Sequence, residues 1–190
     1  MFLNLCRRPR KLAGKERGQA ILEFIPVSLF MLTLAFAIID FSYLIWQWQV
    51  ITSLTREGSN LASRDDTLAV AAAAVVNDGK ALNLNSANGK VIITTVQNTA
   101  AGLNSGTATV SNFVITGQYS LGSYQANSKL GTYTGSGTPA ATLTAQSPPV
   151  PQPGATVFIT EIFYKYTPIT PLGALVKYTM PTELYDVAYF

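Results

Sequence analysis

Two acids at the margins of an apolar run are the residues of this 190-residue chain whose chemistry most needs a partner. No residue from Phe24 to Ile39 is charged, yet Glu23 stands directly before that stretch and Asp40 directly after it. A carboxylate near the centre of a membrane helix costs on the order of 3 kcal/mol on insertion scales, and less near the interface. Glu23 therefore calls for compensation, and two sources are open. Among headgroups it would reach water along its own stem. Alternatively, cleavage after Gly18 would make Gln19 a new N-terminus, with Glu23 fifth and Phe24 sixth. An α-amino group with a pKa of about 7.7 to 8 is cationic at neutral pH and pairs with a carboxylate at low dielectric. Asp40 admits a similar pairing, or the plainer role of an interfacial acid in contact with water.

The element that must position both acids is a helix. Apolar character resumes after Asp40 through Phe41, Tyr43, Leu44, Ile45, Trp46 and Trp48. The roughly 22 residues from Phe24 to Ile45, at about 1.5 Å each, make about 33 Å of helix, enough to cross a hydrocarbon core of about 30 Å. Six of the 13 Lys and Arg lie in the first 18 residues against one acid, Glu16, so that flank is expected in the cytoplasm and the rest of the chain exported. Tyr43, Trp46 and Trp48 suit the aromatic belt at the far headgroups.

Composition narrows the function. Without the first 18 residues, seven basic residues face nine acids, so the net charge of +3 becomes −2. The basic balance belongs to the leader and implies no nucleic-acid partner. The single cysteine, Cys6, permits no internal disulfide; it follows the bulky Leu5 and precedes the apolar run, which argues against a lipid attachment site. The sequence has no histidine and no clustered cysteines, which removes the common zinc ligands. No nucleophile elbow, phosphate loop or metalloprotease motif occurs, so no enzyme, cofactor or metal site is expected. Asp65, Asp66 and Asp78 allow a carboxylate-only calcium site on paper; the preferred reading is helix capping, with Asp65 or Asp66 opening a helix that Gly79 closes.

The residues around the apolar run carry a family resemblance. Gly18, four further residues, Glu23, Phe24 and then an apolar helix resemble the class III signal of type IV pilins and pseudopilins, cut by a prepilin peptidase. GQAILEF, then IIDF at Ile38 to Phe41 and TREGSNLA at Thr55 to Ala62, resemble more narrowly the TadE-like (TadE and TadF) proteins of tight-adherence, or Flp, pilus systems. The likeness is specific over Arg17 to Ala62 and general beyond. Pro26 departs in position from the proline of that family's apolar run.

The resemblance implies a minor pilin or pseudopilin that acts in pilus biogenesis, surface adhesion or biofilm formation. It implies Gly18 and Gln19 as the processing site and Glu23 and Phe24 as the assembly and register residues. Asp40, Phe41, Arg56 and Glu57 become possible subunit contacts, although Arg56 and Glu57 read equally well as a solvated helix face. Implied partners are the prepilin peptidase, a major Flp-type pilin, other minor pilins, the inner-membrane assembly machinery and the lipid bilayer. The implied location is a single pass of a bacterial inner membrane, N-terminus cytoplasmic and C-terminus periplasmic, or outside the cell in an assembled pilus. The alternative is an uncleaved, singly anchored envelope protein with a non-catalytic interaction domain.

Along the chain, 1–18 reads as the leader, 19–64 as a transmembrane and juxtamembrane helix and 65–190 as an exported head. Gly58, Ser59 and Asn60 predict a bend or break. A second helix is expected over about Asp66 to Asn77. Asn88-Gly89 between two extended runs predicts a hairpin. Thr107 to Thr116 and Gln118 to Tyr124, divided by Gly117, read as strands. Gly122 to Gly154, ending in SPPVPQPG, reads as a flexible loop that buries little. In TVFITEIFYKY, Phe158, Thr160, Ile162, Tyr164 and Tyr166 share one face and Val157, Ile159, Glu161, Phe163 and Lys165 the other; ELYDVAYF is a terminal strand. Phe163, Tyr164, Tyr166, Tyr185, Tyr189 and Phe190 read as sheet core and edge. The fold class expected is α+β: a long N-terminal transmembrane helix, pilin-like, carrying a small head with a second helix and an antiparallel sheet.

Overall fold

A computed structural model describes residues 15–64, 67–99, 113–135, 138–139, 153–171, 173 and 180–190. Its first element, α1, is an unbroken helix from Lys15 to Ala62, with Pro26 inside it. Within the apolar part, the hydroxyls of Ser28 and Thr33 donate to the carbonyls of Ile25 (2.9 Å) and Phe30 (2.7 Å). Polar side chains in the apolar stretch thus find partners inside the helix itself.

The break expected at Gly58 to Asn60 does not occur, since α1 runs on to Ala62. A Cβ at Gly58 would lie 2.8 Å from Val75 Cγ2 and 2.9 Å from Thr160 Oγ1. Glycine here lets α1 press against the second helix and the sheet together, and that packing outweighs a propensity cost of about 1 kcal/mol.

The second helix, α2, runs Leu68–Asp78. Its cap is Thr67, whose side chain accepts the Val70 N–H at 3.3 Å; the expected caps Asp65 and Asp66 lie outside the described residues. Gly79 closes the helix, as expected, by donating to Val75 O. Asp78 is exposed at the wrong end for an acidic N-cap.

The hairpin read at Asn88-Gly89 is also absent. Residues 79–82 form a 3₁₀ turn, Asn83 takes a left-handed conformation (φ 50°), and the chain turns again before the first strand. Leu82 and Leu84 are buried there against the helices, so these apolar residues serve core packing and not a strand face. Gly89 is needed for close approach: a Cβ on it would meet Leu84 Cα and O at 2.5 Å.

The sheet comprises β1 (Gly89–Asn98), β2 (Phe113–Leu121), β3 (Thr138–Pro139), β4 (Thr156–Lys165) and β5 (Glu183–Tyr189). Every pairing is antiparallel and the spatial order is β3-β2-β1-β4-β5. The fold is therefore the α+β class expected. Gly117 does not divide two strands. It lies within β2, where the register to β1 slips between Thr95/Val96 and leaves Thr116 as an extra residue. The slip restores the parity of the faces, so Phe113 and Ile115 point to the side on which Gln118 meets Thr94.

Two cores result. On one face Val91, Ile93, Ile162, Tyr164 and Leu184 pack against Ile51, Leu54 and Ala62 of α1 and Ala71, Ala72 and Val75 of α2. On the other, Val96, Phe113, Ile115 and Ile159 gather with Leu130. The alternation expected for β4 therefore holds, Phe158 and Ile162 serving the first core and Val157 and Ile159 the second.

Leu130 belongs to the stretch expected to bury little. It is 3% exposed, and residues 122–135 lie across the sheet. The Gln118 side chain pins them by donating to Gly131 O (2.9 Å) and accepting from Tyr133 N (3.1 Å). A polar composition concealed this packing, because its anchors are backbone groups, polar side chains and one leucine. Most of 136–154 lies outside the described residues.

Candidate functional site

The residues assigned chemistry by their sequence all lie on α1, and the head divides that helix at Asp40. Residues buried against the head recur at Asp40, Gln47, Ile51, Leu54, Thr55, Gly58, Ser59 and Ala62, the spacing of one helix face. From Ile21 to Ile39 none is buried. That uncovered length is about 28 Å of helix at about 1.5 Å per residue, close to a hydrocarbon core of about 30 Å. It stops short of the expected Ile45, because the head reaches down the helix as far as Asp40. By length and composition α1 is the one helix among the described residues suited to crossing a membrane, and it supports a single-pass anchor.

Asp40 is 0% exposed. Its Oδ1 accepts the backbone N–H groups of Ile169 and Thr170, both at 3.1 Å, and its Oδ2 accepts the Thr170 hydroxyl at 2.5 Å. Its own carbonyl accepts the Tyr166 hydroxyl at 3.0 Å. Burial first, and then the Asp40 charge, raise the Tyr166 phenol above its ordinary pKa. The interfacial acid in contact with water is thus replaced by an acid held inside its own chain: buried carboxylates need donors, and the loop after β4 supplies three.

The other assigned residues remain outward. Gly18 and Gln19 fall in the first turns of α1. Glu23 and Phe24 are exposed on the uncovered half, and Phe41 is exposed beside Asp40. Tyr43 is half-buried against the head and stacks on Trp46 with ring centroids 5.6 Å apart, while Trp46 and Trp48 face outward. Arg56 and Glu57 are exposed and, with Asn60, line a groove of about 580 Å³ closed on its other side by Val187, Ala188, Tyr189 and Phe190 of the edge strand. Arg56 also borders a second groove of about 400 Å³ with Trp48, Gln49, Thr52 and Ser53. The arrangement brings Arg56 and Glu57 to the free edge of the sheet; it does not bring them to Glu23 or Asp40.

Two groups escaped the sequence reading. Ser59 reaches into the sheet, accepting Thr160 N–H (3.0 Å) and donating to Ala188 O (2.9 Å), so its hydroxyl bridges residues that face each other across β4 and β5. Thr55 adds a 2.7 Å bond to the Asp186 carboxylate. Glu161, 0% exposed in β4, accepts Lys129 N–H and the Tyr185 hydroxyl, both at 2.9 Å, and a short bond from Ser128. It clasps the 122–135 stretch to the sheet, with Lys129 Nζ over the Tyr185 ring at 3.3 Å. Burial, followed by the Glu161 charge, raises the Tyr185 phenol well above its usual value. A lone acid on the apolar face of the strongest strand is the signal that could have found Glu161. Among the described residues no group of three His, Cys, Asp or Glu side chains is placed to hold a metal.

With this geometry in place, residues 18–60 match the family model described as TadE-like protein. The match begins at the assigned cleavage position and ends beside the Arg56–Glu57 groove, all within α1. The TadE-like segment supports a protein associated with a tight-adherence pilus. Neither the curated proteins nor the solved structures gave a match to this chain.

Proposed function

We propose that this chain is a minor pilin or pseudopilin of a tight-adherence pilus. Its precursor enters the inner membrane with the basic leader in the cytoplasm, and a prepilin peptidase cuts after Gly18. The mature helix then leaves the bilayer sideways into a bundle of similar helices, where apolar side chains exchange lipid for protein contacts. Glu23, costly in lipid, pairs with the Gln19 amine of a neighbouring subunit, which favours one axial register. The Arg56–Glu57 groove offers a polar contact for a neighbouring subunit or for the assembly machinery. A head of this size, in contrast to the nearly headless helix of a major Flp-type pilin, favours a role in initiating, capping or decorating the fibre, and through it in adhesion.

The observation that carries this reading is the division of α1 at Asp40, apolar and uncovered on one side and head-bearing on the other, within a TadE-like segment that begins at Gly18. Intact mass of the protein from cells with and without the peptidase tests it. A chain starting at Gln19 only when the peptidase is present supports processing. An intact leader in both leaves the uncleaved anchor instead.

A further inference from the structure

We propose that the loop from Pro168 to Pro171 is a second membrane contact, seated in the headgroup and upper acyl region of the leaflet from which α1 emerges. The proposal rests on the membrane-anchor reading of α1 and adds to it a part of the head.

Position comes first. Hydrogen bonds from Ile169 and Thr170 to Asp40 place this loop at the level where the uncovered apolar helix ends. Ile169 is nonetheless 58% exposed. Around the same level α1 presents exposed Ile38, Ile39, Phe41, Ile45 and Trp46. The isoleucine thus continues an apolar collar, and does not stand alone on a polar surface.

Backbone chemistry is the second argument. A segment entering lipid must not carry unsatisfied N–H groups, each of which costs several kcal/mol there. From 168 to 171 every backbone donor is accounted for: Pro168 and Pro171 have none, and Ile169 and Thr170 donate to Asp40. The Thr170 hydroxyl also ends on Asp40, and Thr170 O accepts Gly173 N–H at 3.0 Å. Tyr166 to Pro171 contains no charge, while Lys165 just before it is exposed and free to reach phosphate. A loop with its donors spent internally and an apolar side chain at its tip fits a lipid interface. A protein partner that bound through the loop backbone would find no donor left in 168–171.

Fluorescence quenching by brominated lipid tests this in the full-length protein, reconstituted in phosphatidylcholine–phosphatidylglycerol vesicles. Trp46→Phe and Trp48→Phe clear the background, and single probes are placed by Ile169→Trp, by Leu32→Trp on the uncovered helix and by Lys80→Trp. Lys80 follows Gly79, which packs on Leu54, about 21 Å further along α1 than Asp40. The expected result is a blue-shifted Ile169→Trp emission that loses most of its intensity to lipids brominated near the glycerol end of the chain, with Lys80→Trp unaffected. Strong quenching of Leu32→Trp with Ile169→Trp no more quenched than Lys80→Trp would overturn the inference while the anchor stands. Shielding of Ile169→Trp from aqueous acrylamide without quenching by lipid would overturn it in favour of a protein contact. An unquenched Leu32→Trp would remove the anchor reading itself, and the loop contact with it.

Discussion

The Asp40 carboxylate accepts a 2.5 Å hydrogen bond from the Thr170 hydroxyl across 130 residues of sequence. Through it, the acid that closes the apolar run also sets how far along the helix the head reaches.

Removing that acid should unlatch the loop. Asp40→Ala leaves the Ile169 and Thr170 N–H groups and the Thr170 hydroxyl without their acceptor, at about 1–3 kcal/mol for each group that stays buried. The expected loss is about 2–5 kcal/mol in total, since some of these groups will reach water. Asp40→Asn keeps one acceptor oxygen and should fall between. Thermal unfolding of the detergent-solubilised protein measures both, and an alanine variant as stable as the parent would show that the latch contributes nothing.

Gly58→Ala sets two effects against each other. Alanine gains about 1 kcal/mol of helix propensity. Its Cβ would also come within 3 Å of Val75 Cγ2 and Thr160 Oγ1, and overpacking of this kind costs about 1–3 kcal/mol. Both neighbours belong to packed elements with little room to retreat, so net destabilisation is expected and Tm should fall. A rise in Tm would mean that α1 can lift off the sheet at little cost.

Alkaline pH should loosen the head. Tyr164, Tyr166, Tyr185 and Tyr189 all have phenols raised above 10.0, their unfolded value, with burial the first cause in each. A folded pKa above the unfolded one means that the unfolded chain gives up its protons first as pH rises. Stability is therefore flat on this account below about pH 10 and declines above it. Tyr185→Phe keeps the ring against Phe163, removes the hydroxyl facing Glu161, and should lessen the alkaline decline. Denaturant midpoints at a series of pH values across that window provide the check, and an unchanged slope in the variant would exclude Tyr185 as a contributor.

Glu23→Ala should leave membrane insertion intact, since it removes a charge that lipid tolerates poorly. Incorporation into fibres should fall, because the register pairing with the Gln19 amine is lost. Carbonate extraction and immunoblotting of sheared fibres measure the two separately. Normal incorporation of the variant would discard the pairing mechanism.

What the sequence disclosed was local and periodic. The apolar run, the two faces of β4 and the terminal strand follow from spacing alone, and the structure has all three. What it concealed was contact between distant residues. Nothing near Asp40 announces Thr170, nothing near Ser59 announces the Thr160–Ala188 pair, and the backbone donors on Glu161 and Asp40 have no side-chain signature. Two of the misread glycines, Gly58 and Gly89, have one cause. Gly58 looked like a breaker and Gly89 like half of a hairpin turn, yet each is small because other atoms stand within 3 Å of where its Cβ would be: Val75 and Thr160 at Gly58, and the Leu84 backbone of the preceding turn at Gly89. Propensity describes a residue's own backbone, and these positions are decided by what packs against them, distant in the chain at Gly58 and five residues back at Gly89.

Because Ile51, Leu54, Ser59 and Ala62 are at once helix and head interior, the rod has no joint at the point where it meets the sheet. Axial force on the N-terminal half would pass as shear into β4 and β5 without a hinge to absorb it. The protein would therefore rise or turn as one stiff lever, and its orientation at the surface would report directly the angle at which its stem is held.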